Sequence, residues 1–179
     1  NFMRFTLILT LLFFFKITFA QHNKIKLLEQ VNDAEKLYNN NKIFEAIDKI
    51  KNIQLEIDKL ETDTTKAQIH TKIGRFYESK FANAQALKNY FKVLSIYKNN
   101  AKINANNIAN TYVDIGGVYY NISNYNKAKE YWEKALQIFN SNNNIEGISN
   151  ALNNLAELHK FEENYSEALN KYIEAAKLQ

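Results

Sequence analysis

The sequence predicts an all-α fold built from antiparallel helix pairs. Three observations lead there. The 179 residues contain no proline and only four glycines, Leu, Ile, Lys, Glu and Ala are abundant, and a pattern of small and large apolar residues returns at intervals near 40. Without Pro and Gly the chain lacks most of what tight hairpins require, and its abundant residues suit long helices. A hydrophobic content of 46% with a formal net charge of +4 rules out a disordered tail. The lack of Cys rules out a disulfide scaffold, a zinc-thiolate site and a lipoprotein anchor. The length suggests one domain or two.

At the N-terminus, Arg4 precedes an apolar run from Phe5 to Phe15, interrupted by Lys16 and followed by Ile17, Thr18, Phe19 and Ala20. This pattern predicts a secretory signal peptide over residues 1–20. Thr18 and Ala20 are small enough for the positions before a cleavage site, and Gln21 becomes the mature N-terminus. The alternative is a membrane anchor, but the run is short of the roughly 20 residues that span hydrocarbon. The expected location is exported, periplasmic or secreted, and membrane-anchored if the segment is retained or the native chain runs into a transmembrane helix. Removing residues 1–20 leaves 21 basic against 19 acidic residues, with Arg75 as the single arginine. Phosphate recognition favours grouped Arg forks, so no nucleic-acid partner is expected.

From residue 24 to residue 179 the chain aligns with itself as four repeats, approximately 24–60, 64–99, 102–140 and 145–179. The first is a worn copy, with Ala34, Leu37, Ala46, Ile50 and Ile53 in register. The second supplies His70, Ile73, Gly74, Tyr77, Ala86, Tyr90 and Val93. The third is the fullest, with Tyr112, Ile115, Gly116, Tyr119, Tyr125, Ala128, Trp132 and Ala135, and the fourth repeats its spacing from Leu152 to Ala175. The small residues Ala34, Gly74, Gly116 and Ala156 stand 40, 42 and 40 positions apart. Glycine in a helix interior costs about 1 kcal/mol relative to Ala, so a position held by Gly twice and Ala twice implies that two backbones approach closely there. Ala128, Trp132 and Ala135 form one stripe of a helix. A single helix pair cannot bury both faces and must stack on its neighbours. Between the repeats, Asn39–Asn41, Asn99–Asn100 and Asn142–Asn144 read as breaks, because Asn tolerates the left-handed backbone region.

On these residues the chain resembles the tetratricopeptide repeat family, whose signature W-x2-L-G-x2-Y followed by A-x3-F is met by Tyr112-x2-Ile115-Gly116-x2-Tyr119 and Ala128-x3-Trp132. The resemblance covers nearly all of residues 24–179. It departs in its period, near 40 rather than 34, and in the missing Pro after each second helix. HEAT and armadillo repeats share the longer period but fit the Gly-x2-Tyr spacing less well. The resemblance implies a right-handed superhelical solenoid of about four helix pairs.

The string from Ala151 to His159 is similar to the longer-period repeats of kinesin light chains and many bacterial regulators. In those, first helices line a concave groove that binds extended peptides, with Asn side chains on the ligand backbone; an Asn amide both donates and accepts. By position the resemblance implies a groove of Gln68, Thr71 and Arg75 in the second repeat, Asn110, Val113, Asp114 and Tyr120 in the third, and Asn150, Asn153, Asn154 and Glu157 in the fourth. Asn153 and Asn154 carry the family's Asn pattern, whereas Val113 and Asp114 depart from it. The alternative is a solvated helix surface in an Asn-rich protein. Tyr120 is expected to be an exposed aromatic available to a partner.

No catalytic constellation is present: there is no H-E-x-x-H pair, phosphate loop, nucleophile elbow or acidic calcium loop. His70 and His159 occupy repeat positions where aromatics pack, and Trp132 with most tyrosines belongs to the core by its spacing. Glu162 and Glu163 are adjacent and splay apart. Neither enzyme activity, cofactor, metal nor small-molecule substrate is expected.

Asn1 and Phe2 ahead of Met3, and a last helix with no polar cap after it, suggest a fragment. Leu178 and Ala175 are expected to lie exposed or to pair with another chain, giving self-association through the fourth repeat. Two functions are consistent with these features. One is an exported adaptor whose groove holds a protein or peptide; the other is the N-terminal sensory region of a signalling protein ending in a histidine kinase or helix-turn-helix domain.

Overall fold

A computed structural model describes the backbone of residues 2–60, 64–100 and 104–178, and side chains from Phe15 onward except residues 16 and 17. Among the described residues there are eight helices and no strand: α1 (Phe2–Asn39), α2 (Ile43–Lys59), α3 (Thr64–Glu78), α4 (Asn83–Lys98), α5 (Ala105–Asn121), α6 (Tyr125–Ser141), α7 (Ile145–Phe161) and α8 (Tyr165–Ala176). The expected all-α class holds. The side chains that carry the leader pattern, residues 4–14 and 16–17, lie outside the described ones. Among the described residues, no helix is long and apolar enough to cross a membrane.

The chain divides into two compact units, residues 1–69 and 70–179. In the first, α1 packs on α2. Leu27, Val31 and Ala34 of α1 are buried, as are Ala46, Ile50, Ile53 and Ile57 of α2. These alternate by three and four residues, which gives each helix one apolar stripe.

In the second unit the helices pack in chain order, α4 on α5, α5 on α6, α6 on α7 and α7 on α8, with α5 also meeting α7. One continuous core runs from Ala86 and Tyr90 through Ile115, Trp132 and Phe139 to Leu152, Leu158 and Ala175. The small anchors are explained here. A Cβ on Gly74 would stand 2.5 Å from the Tyr90 ring, and one on Gly116 would run into the indole of Trp132. Gly147 is equally pressed by Phe139.

The turns repeat as well. Asn41, Phe81, Ser123 and Glu163 all have positive φ, between 55° and 64°, and follow the spacing of the small anchors. At each the chain reverses through the same pair of hydrogen bonds: Ser123 N–H to the Tyr120 carbonyl and Asn124 N–H to the Tyr119 carbonyl, for instance. This is a Schellman motif, which satisfies the last carbonyls of the preceding helix. Asn caps the helices from α5 to α8. The side chains of Asn124, Asn144 and Asn164 accept from Lys127, Gly147 and Glu167 N–H, and Asn104 accepts from Asn106 N–H. The Asn clusters do mark breaks, but Asn serves there in two capacities, as left-handed residue and as N-cap.

Two expectations are corrected. Ala175 is buried, because Ser149 Oγ donates to its carbonyl at 3.4 Å and α7 lies against it. Leu178 is half-buried against the core. The apolar surface that α8 leaves open is instead Tyr165, Leu169 and Ile173.

Candidate functional site

The site residues expected from the sequence lie on first helices. Gln68 is exposed on α3 within the first unit. In the second unit, Thr71 is half-buried and Arg75 exposed on α3. On α5, Asn110 is exposed while Val113 and Asp114 are half-buried; on α7, Asn150 and Glu157 are exposed while Asn153 and Asn154 are half-buried.

Arg75 and Asp114 meet across α3 and α5. The guanidinium Nη2 lies 3.5 Å from both carboxylate oxygens, and Asp114 is far less exposed than its partner. Burial pushes the Asp114 carboxyl up to about 6, against the pull of Arg75, and the negative charge of Glu78 adds to the rise. Glu78 is the member of this cluster that repeat positions alone do not single out. Its Oε2 accepts from the Tyr90 hydroxyl at 2.8 Å and its Oε1 from Asn121 Nδ2 at 3.4 Å. Burial also raises its pKa. A signal was available inside the repeats. The third repeat places Tyr120 and Trp132 where the second has Glu78 and Tyr90, so exchanging an indole for a phenol comes with a carboxylate to receive the new hydroxyl.

Tyr120 is not the exposed aromatic the sequence suggested. It is half-buried, its ring 5.5 Å from Tyr125, 5.7 Å from Trp132 and 6.4 Å from Phe161. The return of α6 over α5 brings the first two, and the end of α7 brings the third.

On α7 the polar residues form a row. Asn154 Nδ2 donates to Asn150 Oδ1 at 3.5 Å. Glu157 accepts from the Tyr172 hydroxyl and, at 3.1 Å, from Lys160. The Tyr172 bond lowers the Glu157 pKa, while that bond to Glu157 pushes the phenol up to about 12. Beside this row lies a hollow of about 620 Å³ lined by Ile145, Glu146, Ser149, Asn150, Asn153 and Leu178. Val113 turns its backbone inward, its carbonyl accepting from Trp132 Nε1 at 3.2 Å.

The two histidines of the repeats are buried. His70 is buried, with Nδ1 2.9 Å from Asn89 Oδ1. His159 is buried with Nδ1 3.4 Å from Glu162 Oε2. Among the described residues no group of His, Cys, Asp and Glu is arranged to hold a metal ion.

Residues 107–179 match the family model described as tetratricopeptide repeat. No curated protein matches the sequence. Solved structures of similar fold include the apo form of RapI, with a TM-score of 0.76 and 16% identity over 86% of this chain and 56% of that one. BtubC (BKLC) from P. vanneervenii gives a TM-score of 0.58 and 17% identity over 89% of this chain and 56% of that one. A putative kinesin light chain from Podosopora anserina, described as having nearly identical TPR-like repeats, gives 0.57 and 11% over 88% and 96%. The chain spans 56% of the length of the RapI and BtubC chains. Its fold is that of a tetratricopeptide-type helical solenoid, and residues 107–179 are the part similar to the repeat's family model. Such repeats are typically non-catalytic modules for protein interaction.

Proposed function

We propose that this protein is an exported, non-catalytic scaffold that binds an extended peptide or protein segment along the first helices of its second unit. The supporting observation is the row of Asn150, Asn153 and Asn154 on α7, two of which border the 620 Å³ hollow. Their amides offer donors and acceptors at a spacing of one helix turn, and a peptide backbone presents the complementary pair at each residue. Asn110 and Asp114 continue the polar surface onto α5, which packs against α7. Tyr120 has no part in this surface. Export rests on the leader-like pattern of residues 1–20.

Selection from a displayed library of unstructured peptides tests this reading. Peptides recovered on the intact protein should lose at least tenfold in affinity for the Asn150→Ala, Asn153→Ala, Asn154→Ala triple variant, with its melting unchanged. Equal affinity for both proteins would sink the groove.

A further inference from the structure

The outer face of α8 presents Tyr165, Leu169 and Ile173, with 65%, 59% and 43% of their surface exposed. Three such side chains in a row on one helix face would cost about 25 cal/mol for each Å² of apolar surface left in water. The repeats show what covers such a face. In the second repeat the positions of Leu169 and Ile173 are held by Leu87 and Phe91 on α4. Leu87 packs against the core. The Phe91 ring meets Tyr131 of α6 edge-on at 6.4 Å, and Tyr131 is stacked on Tyr119 at 5.5 Å. The third repeat differs on both sides. It places Lys129 and Glu133 at those positions, and the fourth repeat has Lys171 where the third has Tyr131. An apolar pair is thus followed by an aromatic, and a charged pair by a lysine.

We infer that the α8 face is a docking seam for one further helix pair of the same repeat type, carrying an aromatic residue at the position equivalent to Tyr131. The occupant is defined by its chemistry: an amphipathic second helix whose ring lies over Leu169 and Ile173 as Tyr131 lies over Phe91. This seam is on a second helix, separate from the first-helix groove, and does not depend on what the groove binds.

The test extends the whole chain. Gln179 stands at the repeat position of Tyr97, so a copy of residues 98–139 joined after it continues the phase and supplies the Tyr131 equivalent. Thermal unfolding followed by circular dichroism should show a rise of roughly 5–10 °C over the 179-residue chain. Leu169→Lys with Ile173→Lys, or Lys in place of the copy's tyrosine, should remove most of that rise. The same double substitution in the 179-residue chain should shift its midpoint by much less than that rise, since Leu169 and Ile173 are 59% and 43% exposed there. A copy of residues 140–179, which brings Lys171 to the seam, should give a smaller rise. Absence of any rise, or a rise that survives these substitutions, would overturn the proposal. So would concentration-dependent dimerisation of the 179-residue chain that the double substitution abolishes, since a second copy would then be the occupant.

Discussion

The indole of Trp132 lies on the backbone of Gly116 and donates its N–H to the Val113 carbonyl one turn earlier on the same helix. A carbonyl inside α5 thereby takes a further hydrogen bond from α6, and the absence of a Cβ at Gly116 is what lets the ring approach.

Two principles disagree about Gly116→Ala. Helix propensity favours Ala by about 1 kcal/mol, whereas overpacking a filled core costs typically about 1–3 kcal/mol. The buried indole has no room to give way, so the clash wins. We expect Gly116→Ala to lower stability by about 1–2 kcal/mol in urea denaturation. In a Trp132→Leu background the same change should become neutral or stabilising. A stabilised single variant would show that the ring can move aside.

Asp114 makes stability depend on pH. Its folded pKa, about 6, lies above its ordinary 3.8, so between these values the folded protein holds a proton that the unfolded chain has lost. Stability from this group therefore rises on acidification through that window, falls as the pH climbs through it, and is level above about 6. At about 1.4 kcal/mol per unit the effect is on the order of 2–3 kcal/mol. Asp114→Asn should accordingly be more stable than the parent at pH 7.5, because the exposed Arg75 can rely on water. The gap should close as the pH approaches 4. A gap that stayed constant with pH would show that Asp114 does not titrate in this way.

The turn before α4 lacks the capping Asn that the equivalent turns before α6 and α8 have. Ala82 has backbone angles of −80° and 59°, close to the −85° and 68° of Asn164, yet it offers no capping oxygen. Ala82→Asn should raise stability by about 0.5–1 kcal/mol.

At the neighbouring position, Phe81 sits at a φ of 55° with its ring mostly in water. Phe81→Gly relieves the left-handed strain at the cost of unfolded-chain entropy, for a net gain of about 0.5 kcal/mol. Thermal midpoints of the two variants and their combination check both; additive gains are expected if cap and turn act separately.

Much of this fold was legible because the repeats compare themselves. Gly74, Gly116, Tyr90 and Trp132 could be placed in helix contacts from spacing alone, and the buried histidines followed from the same register. Tyr120 could not be placed. Tyr125 and Trp132 cover part of its ring from within the repeat, but Phe161 comes from 41 residues later, and no periodicity within one repeat reveals a neighbour contributed by the next. The left-handed turns at Phe81 and Glu163 were hidden for another reason: neither residue type favours that conformation, and the Schellman hydrogen bonds impose it. Among the groove residues, position identified the helix but not the depth, so Asp114 emerged as a half-buried acid rather than a surface one.

The packing order of the second unit also bears on the time at which the protein folds. From α5 to α8 each helix meets the one made just before it, and among the described residues the longest steps in this stretch skip a single helix. No helix in that stretch must wait for a distant segment to be synthesised. Contacts of such short range close quickly, so the stretch is suited to folding in the direction of synthesis, each helix settling on its predecessor while the next is still being added. The apolar side chains of α8 would be the last of this stretch to reach water.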